Sequence, residues 1–226
     1  MVLFGSILLL GTTVLGTSPV FAQRKPPPRI PATRPARLNV QYHRAETAWK
    51  SGNSILEAKA RIDRVLKEIP ADPEARKLRA GIYMSMGQPA KALIDARAAA
   101  EINPFDGEAY LLQCEAGVRV GANKAALKAL DQSAGLLLDR STFHVRLSRC
   151  AMALGRYNAA EAYARTAVAG NNRDADAYLQ LARVFVLDNK PEKAVTVLRR
   201  GMNAQVLNHS VIEQDTLLAP LSGGVK

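Results

Sequence analysis

Glycine and alanine recur in this chain at a fixed interval, and that interval narrows the folds open to it. Gly87, Gly121 and Gly155, with Asn189 in register, stand 34 residues apart. Ala92, Ala126, Ala160 and Ala194 keep the same spacing. Carried one interval back, the two series reach Asn53 and Ala58. A constant period of this length marks stacked supersecondary units, not one layered core. Five units follow, with boundaries near 39, 73, 107, 141 and 175. Each holds two apolar patterns of helical spacing split by a turn signal: "SGNS", "MGQP", "VGAN", "LGRY" and "LDNK". Glycine there takes φ > 0 without steric cost and ends the first helix. The second helices are rich in alanine, as in "GRYNAAEAYARTAVA". Burying a CH₂-sized unit is worth only about 0.8 kcal/mol. Such a helix therefore depends on a partner it can approach closely, which small residues at the crossing allow. Aromatic residues make up 5% of the chain, too few for a β-sandwich.

The repeated positions resemble those of tetratricopeptide repeat (TPR) proteins. Ala80, Cys114, Ser148 and Ala182 match the small residue in the middle of the family's first helix, with Glu46 the exception. Trp49, Tyr83 and Phe185 match the aromatic a turn later, where Gly117 and Ala151 depart. Tyr42, Tyr110 and Tyr178 match the residue near the start of that helix, where Arg76 and His144 depart. The second-helix pair reads Ala58/Ile62, Ala92/Ala96, Ala126/Leu130, Ala160/Ala164 and Ala194/Leu198. The closing proline is present as Pro70 and Pro104 and then lost.

The resemblance implies an all-α fold: a right-handed α-solenoid of about five antiparallel helix pairs over 39–204, with a short C-terminal cap over 205–226. In "HSVIEQDTLLAPLSGGVK", Ile212, Leu217, Leu218 and Leu221 are expected to cover the last unit, with Pro220 ending the segment. It also implies a concave groove lined by the first helices that holds a partner's peptide or helix. The positions that line it in the family fall on Lys77, Met84, Glu108, Leu111, Glu115, Val118, Arg119, Val145, Arg149, Met152, Asp176, Leu179, Arg183 and Val186. Arginine there is suited to gripping a carboxylate, and Leu, Val and Met to apolar contact. The alternative is that these arginines are a solvated face. The carboxylate clamp of chaperone-binding TPR domains is not matched, because His43, Thr47 and Gly81 stand where it needs Lys or Asn, and only Lys77 fits.

The chain opens "MVLFGSILLLGTTVLGTSPVFAQ". The apolar run and the small residues Val20 and Ala22 read as a secretory signal peptide over 1–22, cleaved after Ala22. No basic residue precedes the run, and its length also suits an uncleaved membrane anchor. Residues 23–38 read as an extended linker, with Arg24, Lys25, Arg29, Arg34 and Arg37 among prolines. Cys114 and Cys150 read as two small buried thiols, with a disulfide open to them if the chain is exported.

No phosphate-cradling or nucleophile-elbow motif is present, and His43, His144 and His209 are scattered. Neither catalysis, a metal nor a cofactor is expected. Net charge is +11, a hint of anionic partners. The leading expectation is a non-enzymatic, periplasmic or secreted scaffold that binds another envelope protein, within a secretion, pilus or polysaccharide-export assembly. The alternatives are a basic binder of nucleic acid or cell-wall polymer, and a membrane-anchored adaptor. Nucleic acid is disfavoured because the cations lack interleaved aromatics for base stacking.

Overall fold

The structure, a computed structural model, describes residues 34–52, 54–137 and 141–225. The expected signal peptide and residues 23–33 of the linker lie outside the described residues.

Five helix pairs follow one another: α1 (Ala36–Lys50) with α2 (Ile55–Glu68), α3 (Pro73–Ser85) with α4 (Pro89–Ile102), α5 (Gly107–Arg119) with α6 (Asn123–Leu136), α7 (His144–Ala153) with α8 (Tyr157–Gly170), and α9 (Ala175–Leu187) with α10 (Pro191–Asn203). A short α11 (His209–Glu213) and a 3₁₀ segment (Ala219–Val225) close the chain. Aspartate starts three of the first helices. Asp72 accepts from the Ala75 N–H at 3.0 Å, Asp106 from the Glu108 N–H at 3.0 Å, and Asp174 from the Asp176 N–H at 3.0 Å. Each thereby satisfies a donor that the helix itself leaves open. Pro73, Pro89 and Pro191 occupy first-turn positions, where a missing N–H costs nothing.

The turns between paired helices share one construction. Gly87, Gly121, Gly155 and Asn189 have φ of 67°, 76°, 70° and 57°. The next N–H in each case reaches back five residues: Gln88 to Tyr83, Ala122 to Gly117, Arg156 to Ala151, Lys190 to Phe185. This closes the helix with a Schellman motif. In the first unit Gly52 is left-handed, at φ 69°, and α1 ends one residue early relative to the later first helices; Asn53, expected at the turn from the period, lies outside the described residues.

The predicted small positions are where helices cross. Ala58, Ala92, Ala126, Ala160 and Ala194 are fully buried, as are Ala80, Cys114, Ser148 and Ala182. Ser148 Oγ donates to the Ala160 carbonyl at 2.9 Å, a reach only two close backbones permit. At Gly117 an added methyl would come within 3.1 Å of Ala126 Cβ.

First helices of adjacent units touch each other and each second helix packs on the next first helix, with no comparable packing between successive second helices among the described residues. The first-helix side is therefore the tight, concave side of the stack. At the C-terminal end Leu207, Ile212, Leu218 and Val225 are buried with Tyr178, Phe185 and Leu198. Leu221 packs against this cluster; Leu217 stays outside it. Pro220 does not end the segment but lies inside the 3₁₀ turn. Arg183 on α9 pairs with Asp215 at 2.6 Å and ties the cap to the last unit.

Two further expectations change. Cys114 and Cys150 form a disulfide between α5 and α7, their Cα atoms 6.4 Å apart, because adjacent first helices are close enough for a bridge. The unpacked linker does not extend to residue 38. Helix begins at Ala36, Leu38 is buried, and Arg34 and Arg37 pair with Asp72 and Glu68.

Candidate partner-binding groove

The concave side holds a hollow of about 420 Å³ that crosses α1, α3, α5 and α7. Its apolar lining is Tyr42, Trp49, Leu78, Met84 and Leu112, and its charged lining is Glu46, Glu74, Glu108 and Glu115 against Lys50, Lys77 and Arg146. The helical period puts these side chains on one face: Tyr42, Glu46 and Trp49 on α1, and Glu74, Lys77, Leu78, Gly81, Met84 and Ser85 on α3.

Trp49 is held in place by two contacts. Its indole N–H donates to Ser85 Oγ at 2.9 Å. The outer edge of its ring lies against Gly81, where a Cβ would fall 2.5 Å from it. Glycine at 81, which spoils the chaperone-type clamp, is thus what admits the tryptophan.

The cations are already engaged. Lys77 Nζ lies 2.7 Å from Asp106, 3.0 Å from Glu74 and 3.3 Å from Glu108. Burial acts to lower the Lys77 pKa, but the bond to Asp106 and the charges of Glu108 and Glu74 outweigh it and hold it above the usual lysine range. Arg146 grips Glu115 with two bonds of 2.8 Å. Burial, aided by the charges of Glu74 and Glu46, pushes the Tyr42 phenol up to about 12, so it stays a neutral donor. The Arg34 guanidinium stacks over the Tyr42 ring, 3.8 Å from its centroid.

Of the groove residues expected from sequence, Lys77, Met84, Glu108 and Glu115 come together in this hollow. Leu111, Val145 and Leu179 do not line a surface; they are packed in the core between units. Val118, Met152 and Val186 are partly buried against the same cores. Arg119 is exposed and donates to the Met84 carbonyl at 3.4 Å. Arg149 pairs with Asp176 at 3.0 Å, and Arg183 with the cap. These last two arginines bind carboxylates of the segment that follows their own unit. Sequence reading did not mark Glu46, Glu74, Leu112 and Arg146 as lining residues. The 31-residue step from Glu115 to Arg146, nearly one period, is the signal that links the last to its partner.

Among the described residues no group of three or more His, Cys, Asp or Glu is placed to hold a metal ion. No helix among them is long and apolar enough to cross a membrane.

Tetratricopeptide repeat family models match residues 42–107 and 151–211. The two matches together take in more than half of the chain. The chain is a tetratricopeptide repeat protein. Solved structures share this TPR fold at low identity. PilW, titled a widely conserved type IV pilus biogenesis factor, aligns with a TM-score of 0.69 at 20% identity, over 85% of this chain and 88% of its own. A thermophilic TPR protein of Thermus thermophilus, TTC0263, aligns at 0.64 and 20%, over 83% and 98%. MamA from Desulfovibrio magneticus RS-1 aligns at 0.61 and 12%, over 76% and 97%. A search of curated protein sequences gives no match.

Proposed function

We propose that this TPR protein is a non-catalytic scaffold of the bacterial envelope that holds a peptide or helix of a partner protein on its concave face. The observation that carries the reading is the hollow across four first helices, where Trp49, Tyr42 and Met84 offer apolar contact beside a charged rim. Apolar side chains supply contact area in such a concave site, and the charged groups around them fix the orientation of what binds. The Cys114–Cys150 disulfide supports an oxidising compartment, in line with the signal-like N-terminus. Among the assemblies expected from sequence, the fold likeness to PilW, a type IV pilus biogenesis factor, favours a pilus over a secretion or polysaccharide-export machine. The test is affinity purification from the native envelope with the intact protein and with Met84→Lys. The partner is expected with the first and lost with the second, at unchanged helical content. Retention of the same proteins by both removes the groove from the reading, and an uncleaved chain in the cytosol removes the compartment.

A second reading, binding of an anionic polymer, draws on the outer helices. Arg64, Lys67, Arg97 and Lys128 have no ion-pair partner among the described residues. Phosphate-type contacts release counterions, so affinity for nucleic acid or cell-wall polymer falls steeply with salt under this reading. A flat salt response removes it.

A further inference from the structure

We infer that residues 23–33, the basic proline-rich stretch ahead of α1, dock along the acid-bearing hollow and occupy it until a partner displaces them. This rests on the concave face being a binding surface, and it names the first occupant of that surface.

Charge points there. The chain carries +11 overall, yet the hollow sets four glutamates against three cations. Lys50, Lys77 and Arg146 are bound to those same glutamates, so the hollow keeps an excess of negative charge and no cation free to hold an anion. Glu74 is the most available, with a half-exposed side chain (52%). The segment "QRKPPPRIPAT" brings Arg24, Lys25 and Arg29 and no acid.

Position points there as well. Arg34, the next cation along the chain, already sits on the rim of the hollow. It pairs with Asp72, stacks over Tyr42, and feels the charge of Glu74. A guanidinium over an aromatic ring beside a carboxylate is the contact that Arg29 and Arg24 need in turn. Prolines suit the same floor, since extended Pro-rich segments dock in aromatic-lined grooves at low entropic cost. Reach is sufficient. Eleven residues at about 3.1 Å each extend some 34 Å, whereas packed neighbouring helices stand about 8–10 Å apart. The stretch can therefore cross from Tyr42 on α1 to Glu115 on α5.

Trp49 is the only tryptophan and it lines the hollow, so its fluorescence reads occupancy directly. The experiment compares the full chain with Arg24→Glu/Lys25→Glu/Arg29→Glu, using acrylamide as a neutral quencher. In the unmodified protein Trp49 is expected to be protected. The triple variant is expected to lose that protection, and so is the unmodified protein at 1 M salt, where screening acts within about 3 Å. A synthetic peptide of residues 23–33 added to the triple variant restores protection, and the same peptide with reversed charges does not. Glu46→Gln/Glu74→Gln weakens protection with the segment intact. Equal quenching in unmodified and triple-variant chains, with no response to the peptide, overturns the proposal. The two readings fail separately. If Trp49 is equally exposed in both chains while partner capture still requires Met84, self-docking is wrong and the scaffold stands. If the segment docks but no partner is retained, the scaffold is wrong and self-docking stands.

Discussion

At the scale of single residues, the groove is organised by what stands beside Trp49 and Tyr42. Gly81→Ala places a methyl against the indole ring, which must swing away and give up its bond to Ser85. The expected cost is about 1–3 kcal/mol, as for other small-to-large changes at packed sites, read from urea unfolding together with a shifted Trp49 emission. Tyr42 titrates in a way that fixes a sign. Its phenol ionises near 10 when unfolded and at about 12 in the fold. The folded form prefers the neutral phenol, so this contribution is complete below pH 10 and is lost as pH rises through about 12. Urea unfolding at pH values between 9 and 12 is expected to show that decline, and Tyr42→Phe to remove it. An unchanged pH slope in the Phe variant contradicts the burial assigned to Tyr42.

At the scale of elements, the turns and crossings carry the repeat. Gly155 has φ 70° and open space around its Cα, so Gly155→Ala costs only backbone strain, about 1 kcal/mol. Asn189 holds the same conformation with a side chain, and Asn189→Gly is expected to leave stability equal or raise it by a few tenths of a kcal/mol. Thermal unfolding of both variants checks the pair. Ala160 lies fully buried under Ser148, and Ala160→Leu overpacks that crossing by about 1–3 kcal/mol. An equal melting temperature contradicts the crossing. These elements were legible in the sequence because small residues and left-handed turns leave fixed-period marks. Within the turn read from "SGNS", Gly52 is left-handed although it stands one place off the 34-residue series. The groove was legible only in part. Leu111, Val145 and Leu179 turned inward because their positions face the next unit's core, and the period does not report that rotation. The pairs Lys77–Glu108, Arg146–Glu115 and Arg149–Asp176 join side chains 31, 31 and 27 residues apart. No single unit contains both partners, so a reading unit by unit leaves these cations free.

At the scale of the molecule, each unit leans on its neighbours, and the disulfide alters that one-dimensional order. It closes a loop of sequence separation 36 across the third and fourth units. Removing it by Cys114→Ser/Cys150→Ser is expected to cost about 2–4 kcal/mol. Because repeat arrays store stability locally, hydrogen exchange should quicken most in α5 to α8, with α9, α10 and the cap less affected. Uniform acceleration along the chain contradicts that locality. The sequence left the bridge open and did not select it, because its cysteines are not repeat equivalents. Cys114 holds the small-residue position and Cys150 stands two places beyond it in the next unit. The same bond has a mechanical meaning. A chain pulled from its two ends unravels unit by unit, yet the segment from Cys114 to Cys150 bears no load while the bond holds. At about 3.3–3.6 Å per extended residue, 36 residues are withheld, so the oxidised protein stretches to a contour about 120 Å shorter than the reduced one. The array thus has a fixed limit to how far it can be drawn out.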